Sequence, residues 1–291
     1  VMRRAADHIF AEEPYKSYRE LFNVYYVTAI SENEVYGQQS STAFSCYFVE
    51  EPMVGGDDYK VLTYGEKAIG AERIDDALFV VIMNSSEHGG TCDMYVPSST
   101  LYVPAYHNWG SGLTIAYSCL GDSDEYFAAT LKHEACGHGF ARLADEYYMY
   151  NSVISESGIN FYKSHEQYGW WKNIDFTGEP TQVKWSKFLA DSRYKYDGLG
   201  VYEGGLAEYS EGVWRPSENS IMSSNTGGFN APSREAIYYR IHKLAYGADW
   251  QYDYEKFVEY DVRNRMSEAQ SQSRPLVLKP QEKFVPLHPP V

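Results

Sequence analysis

The run His133 Glu134 Ala135 Cys136 Gly137 His138 constrains this chain more than any other stretch, because its polar groups demand a particular kind of helix. It lies in Glu125 to Ala144, which carries helical spacing and follows Gly121 Asp122 Ser123 Asp124, a cluster that signals a helix start. Two histidines four apart share a helical face, but two that are five apart point ~140° away from each other at ~100° per residue. A single π-type turn absorbs the extra residue and restores the shared face. Gly137, with no Cβ, makes that distortion cheap, and Ala135 is small enough for close packing.

Two imidazoles on one face, with a carboxylate beside the first, form the donor set of a catalytic zinc helix. His133 and His138 are read as metal ligands, and Glu134 as the base that acts on the metal-bound water. Such a zinc keeps three protein ligands and one open position. Asp145, seven residues after His138, is expected to be the third, provided the helix breaks, for which Gly139 offers a point, and the chain turns back. On a continuing helix it would lie ~10 Å up the axis. Glu146, Glu203 and Glu235 are the fallback candidates for that place. Asn219 to Asn225, centred on Met222 and about 85 residues downstream, looks like the methionine turn that underlies the zinc in metzincin peptidases. Tyr238 and Tyr239 are candidate hydroxyl donors to a developing oxyanion.

Around this helix, Leu21 to Ile30 reads as a buried strand, Val61 to Ala71 as a short helix, and Leu78 to Met83, apolar on both faces, as a central strand. Thr114 to Cys119 reads as another strand. The strand Leu78 to Met83 is expected to present an edge where an extended peptide adds as a strand, with the loop Asn84 to Gly90 shaping the cleft and His88 read as a solvated loop histidine rather than a substrate contact. Residues 150 to 230, rich in Gly, Ser, Trp and Tyr, suggest an irregular lobe built on loops. A helix is expected from Pro232 to Leu244, capped by Ser233 and burying Ile237, Ile241 and Leu244. His107, His165 and His242 are read as structural. Five of the twelve prolines fall in 275 to 290, so 266–291 is read as a tail or linker after a domain over 1–265.

Charge narrows the partners. Lys and Arg total 25 against 40 Asp and Glu, a net charge of -15 that repels phosphate backbones and anionic lipid, so nucleic acid is excluded as a partner. No apolar run approaches the ~20 residues of a membrane-spanning helix, so no membrane insertion is expected. Four cysteines without close pairing are too few for a disulfide scaffold. No signal sequence is read at Val1.

The stretch His133 to Tyr147 resembles the bacterial metallopeptidases named after immunoglobulin-A cleavage. The resemblance extends to Glu13 Pro14 Tyr15 Lys16 Ser17 Tyr18, to Gly212–Pro216 and to Phe229–Glu235, and so spans roughly residues 1 to 265. It implies an α/β (α+β) catalytic domain of metzincin-like fold: a twisted, mostly parallel sheet packed on the active-site helix, with an irregular lower lobe. It also implies a zinc endopeptidase acting on protein or peptide substrates, in a secreted, periplasmic or cell-surface location. The founding members space their histidines by four, whereas this chain has the longer form also used by dipeptidyl-peptidase three. A rival reading is a non-catalytic carbohydrate- or protein-binding surface protein on a degenerate peptidase scaffold. It accounts for the 28 tyrosines but leaves Glu134 without a purpose, since a structural zinc gains nothing from a water-activating carboxylate.

Overall fold

Leu113–Cys119 is the strand around which the main unit is built, because every one of its residues is buried. The computed structural model describes residues 1–33, 36, 41–49, 53–97, 111–225 and 227–271, with backbone alone for 266–271. Its elements in chain order are α1 (Met2–Ile9), β1 (Tyr47–Phe48), β2 (Val54–Gly55), α2 (Asp58–Ile69), β3 (Leu78–Met83), β4 (Gly90–Tyr95), β5 (Leu113–Cys119) and α3 (Asp124–Leu131). A π-helical segment, Lys132–Phe140, continues α3 directly. Then come α4 (Glu156–His165), α5 (Ser186–Ala190), β6 (Leu199–Gly205), β7 (Tyr209–Ser217), α6 (Ile221–Ser224), α7 (Ala231–Tyr246) and α8 (Tyr254–Ser271). Val1–Asp253 forms one compact unit and Tyr254–Val291, which contains α8, a second. Residues 272–291, which hold most of the expected tail, and His107 lie outside the described residues.

The principal sheet has the order β3-β5-β4. β3 runs parallel to β5, with Leu78 opposite Thr114, and β4 runs antiparallel to it, with Gly90 opposite Ser118. The sheet is therefore mixed rather than mostly parallel. β5, not β3, is central, and the apolar run of β3 is explained by packing at an edge. Alternation along β5 builds two cores. Leu113, Ile115, Tyr117 and Cys119 join Val61 and Leu62 of α2, while Ala116 joins Phe127, Leu131 and Ala135 of the helix that carries the histidines. Each large apolar side chain buried there contributes ~1.5–3 kcal/mol.

Several expectations are corrected. Among the described residues Leu21–Ile30 forms no strand: after a short turn over Arg19–Leu21 the backbone is irregular, and Ile30 is 87 % exposed. β-propensity without a neighbouring strand to bond does not make a sheet. The helix after Ser123 ends at Phe140, so Ala141–Ala144 lie beyond it. α7 is capped by Asn230, whose side chain accepts the Ser233 amide, and Ser233 is buried inside the first turn. Ile237 and Ile241 are buried as the spacing predicts, but Leu244 is exposed. The lobe over 150–230 is more regular than its composition suggests, with α4, α5 and the antiparallel β6–β7 pair. His88 stacks on Tyr126 and contacts Asp122, while His165 and His242 sit among aromatic rings.

On the α2 side of the sheet, Asp58 accepts hydrogen bonds from the hydroxyls of Tyr95 and Tyr117. Its carboxyl is also bonded to that of Asp93, and burial together with Asp58 pushes Asp93 up to about 7. Folded protein thus binds a proton that the unfolded chain, with an Asp pKa of ~3.9, has already lost. Its stabilisation is complete below about pH 4 and is lost as pH rises through about 7. Asp93→Asn keeps a donor to Asp58 without titrating. Urea unfolding at pH values across that window should show wild type losing on the order of a few kcal/mol relative to D93N. Parallel pH profiles for the two proteins would refute the shared proton.

Candidate metal centre and active site

The site begins with the helix that Ser123 starts: its hydroxyl accepts the Tyr126 amide, and Asp124 and Glu125 complement the positive end of the helix dipole. At Lys132 the hydrogen bonding lengthens to the π pattern, and the Ala141 amide bonds the Cys136 carbonyl five residues back. His133 and His138 consequently face each other, with ring centroids 4.8 Å apart. The expected distortion is present, and glycine permits it for a packing reason. A Cβ on Gly137 would lie 2.2 Å from Met222 Sδ, so the turn closes directly over that methionine.

Backbone carbonyls orient both rings. His133 Nδ1 donates to Ile221 O and His138 Nδ1 to Leu143 O, each at 2.8 Å. A carbonyl can only accept, so each Nδ1 carries a proton and each ring turns its Nε2 inward, the atom a metal would take. The two Nε2 atoms are 3.1 Å apart, and Asp145 Oδ1 lies 3.1 Å from one and 3.2 Å from the other. Glu134 belongs to the same cluster, in which its donor atom and those of the two histidines lie within 4.8 Å of one another. Asp145 closes the tighter triangle. Gly90, the first residue of β4, has no side chain to collide with the Glu134 carboxylate.

The chain does turn back to bring Asp145 in, though not at Gly139. That glycine stays inside the π-turn, where a Cβ would meet Leu78. Reversal falls at Arg142, which takes a left-handed φ of 58°, and the Leu143 amide returns to Gly137 O. The next residues are locked by two other elements. Leu206 N of the β6–β7 connection bonds Asp145 O, and Glu146 N bonds Met222 O. The fully buried Glu146 carboxylate accepts hydrogen bonds from Asn173, Asn230 and Ser220. Glu146 thus ties the Asp145 loop to α6 and to the start of α7.

Electrostatics follow from this crowding. Burial opposes charge on His138, but Asp145 and Glu134 outweigh it and push the ring up to about 9. Burial likewise opposes ionisation of Asp145, yet the two histidines hold its carboxyl well below the ordinary carboxylate range. Burial raises Glu134, with the histidines only partly opposing it.

Glu203 and Glu235 are engaged away from the centre: Glu203 accepts the Gly212 amide within the hairpin, and Glu235 pairs with Lys187. Tyr238 and Tyr239 do not join the centre: both rings pack around Trp250, Tyr238 also against Tyr18 and His242. The hydroxyl beside the ligand set is instead Tyr147. Its ring lies 6.4 Å from that of His133, and its hydroxyl bonds Asp145, with burial and then the Asp145 charge raising its pKa. The sequence signal was its place directly after Asp145 and Glu146.

A family model described as IgA Peptidase M64 matches residues 2–198, and the chain belongs to that family. No curated protein matches it. Family membership makes the protein a peptidase of the metallopeptidase class, for which peptides and proteins are fitting substrates. Among the described residues, no helix is long and apolar enough to cross a membrane.

Replacing Gly137 with Ala should cost about 1–3 kcal/mol of stability, since the new methyl overlaps Met222. Met222→Ala in the same chain should recover part of that loss despite the cavity it leaves. Thermal unfolding of the single and double variants checks this, and additive losses would mean that the two residues do not meet.

Proposed function

We propose that this member of the IgA peptidase family is a zinc-dependent metalloendopeptidase of metzincin type, in which His133, His138 and Asp145 hold the metal and Glu134 is the general base. The observation that carries this reading is the convergence of two imidazole Nε2 atoms and a carboxylate oxygen on one point. These atoms lie 3.1–3.2 Å apart, and a positive charge among them, a proton on an imidazole or a metal ion in its place, holds them together. Tetrahedral zinc with bonds of ~2.0–2.1 Å sets its ligand atoms ~3.3–3.4 Å apart. The donor set of two imidazoles and one carboxylate fits zinc and leaves the fourth position for water or substrate.

When bound, zinc would polarise the scissile carbonyl and lower the pKa of its water from 15.7 towards ~7. The chain's own residues do the rest. Burial raises the Glu134 carboxyl above its ordinary value, which makes it a stronger base than a solvated carboxylate. Its carboxylate takes a proton as the water oxygen bonds to the carbonyl carbon. It returns that proton to the amide nitrogen as the carbon–nitrogen bond breaks, so the amine leaves neutral. Tyr147, in reach of Asp145, is the hydroxyl best placed to donate to the carbonyl oxygen as it gains charge. Of the two edge strands of the main sheet, β4 is the one whose first residue abuts Glu134, which favours it over β3 as the strand beside which an extended peptide lies. The family resemblance further points to action outside the cytosol, on the cell surface or in the surrounding medium.

Metal content by mass spectrometry, paired with cleavage of a quenched peptide library, tests the reading. About one zinc per chain is expected in wild type and in Glu134→Gln alike, with hydrolysis reduced by about 10²–10⁴ in the variant and abolished by chelator. Hydrolysis that survives chelation, or zinc bound without hydrolysis of any peptide, would sink it. Tyr147→Phe should retain zinc and lose about 10²–10³ in kcat, with little change in KM. An unchanged kcat would remove Tyr147 from the reaction, whereas lost zinc would mark it as support for Asp145 alone.

A further inference from the structure

On the far side of the π-turn from the histidines, two arginines are placed in a way that the peptidase reading does not use. Arg142 is 1 % exposed. Its Nη2 donates to Gly112 O at 2.8 Å and its Nη1 to Thr114 Oγ1 at 2.6 Å and to Gly139 O. Arg240 of α7, half-buried, donates from Nη1 to the adjacent Ser111 Oγ at 2.6 Å. The guanidinium of Arg240 lies over Phe140 and that of Arg142 beside Trp170, whose own Nε1–H is taken by Ser111 O. The Nε–H of each arginine is buried without an acceptor among the described residues.

Two guanidinium groups converging on neighbouring residues should draw in a carboxylate, and among the described residues none pairs with either. Asp75 and Asp76 lie near enough to favour the charge on Arg240 but form no ion pair with it. Tyr15, which both arginines sense, commits its hydroxyl to Cys136 O. The segment 98–110 that precedes Ser111 contains no Asp or Glu. Burial, and after it the neighbouring Arg240, disfavours the charge on Arg142. Carbonyl dipoles and ring faces offset part of that cost. Two buried like charges with donors to spare still call for a negative partner.

We propose that Arg142, Arg240 and Ser111 form a binding site for a small monovalent inorganic anion of halide size. The anion accepts from the free Nε–H groups and balances the paired guanidinium charges. Because Arg142 also grips Gly139 O, inside the turn that carries His138, the bound anion stiffens the segment on which the metal centre rests.

Bromide is the probe. Crystals of the full chain grown or soaked in sodium bromide should show an anomalous peak in contact with both guanidinium groups. In solution, Tm should rise saturably with bromide relative to sodium gluconate at equal ionic strength. Arg240→Gln should abolish the difference between the two salts. No peak at this position, or equal Tm in the two salts, overturns the proposal, as does a bromide effect that persists in R240Q. A peak with no shift in Tm would mark an adventitious ion only and count against it as well. Should R240Q fail to fold, the wild-type peak and the wild-type salt difference decide the matter together.

Discussion

The change from α to π hydrogen bonding after Lys132 is the constraint on which the site depends. With i→i+4 bonding, residues five apart diverge; with one longer turn they face each other, and His133 and His138 meet at 4.8 Å between ring centroids. Such a turn is held only if something else fills its shape. Met222 does so from beneath, in space that a Cβ on Gly137 would occupy. The methionine is thus more than apolar filler: it is the floor against which a distorted helical turn is pressed.

From that turn the remaining geometry follows by hydrogen-bond satisfaction. Ile221 and Leu143 offer carbonyls to the two Nδ1 atoms, which fixes a proton there and aims both Nε2 atoms at one point. Arg142 reverses the chain, and Asp145 arrives at that point within 3.2 Å of both rings. Glu146 then anchors the loop through three side chains from three different parts of the chain. A carboxylate this deeply buried is tolerated only because every donor around it is aimed at it.

Charge is distributed by face. On the α2 side of the sheet, Asp58 and Asp93 crowd two carboxyls among tyrosine hydroxyls, and Asp93 is pushed towards its protonated form. Next to the π-turn, Arg142 and Arg240 crowd two cations without a carboxylate. In the centre, two imidazoles and the Asp145 carboxylate crowd within 3.2 Å of one another. The first imbalance is eased by a proton held on Asp93; an anion for the second and a metal cation for the third are the partners proposed above.

The chemistry of the centre is written in local spacing. His133, Glu134, His138 and Gly137 define a distorted helix on that ground alone, since no regular α-helix puts two histidines five apart on one face. Met222 and Asp145 were also legible, through a local turn pattern and an acid at reachable distance. Family membership, which the family model supports over residues 2–198, was readable in the same run. The partners supplied by distant chain were settled by packing. β5 rather than β3 became central because pairing, not apolarity, sets strand order, and among the described residues Leu21–Ile30 forms no strand. Reversal fell at Arg142, with its left-handed φ, while Gly139 stays within the π-turn and leaves room for Leu78. Tyr147 rather than Tyr238 or Tyr239 reached the centre because α7 turns those two rings towards Trp250. Local spacing encodes which side chains share a face; which groups press against that face depends on contacts such as that of His133 with Ile221, 88 residues away, and no local pattern carries that information.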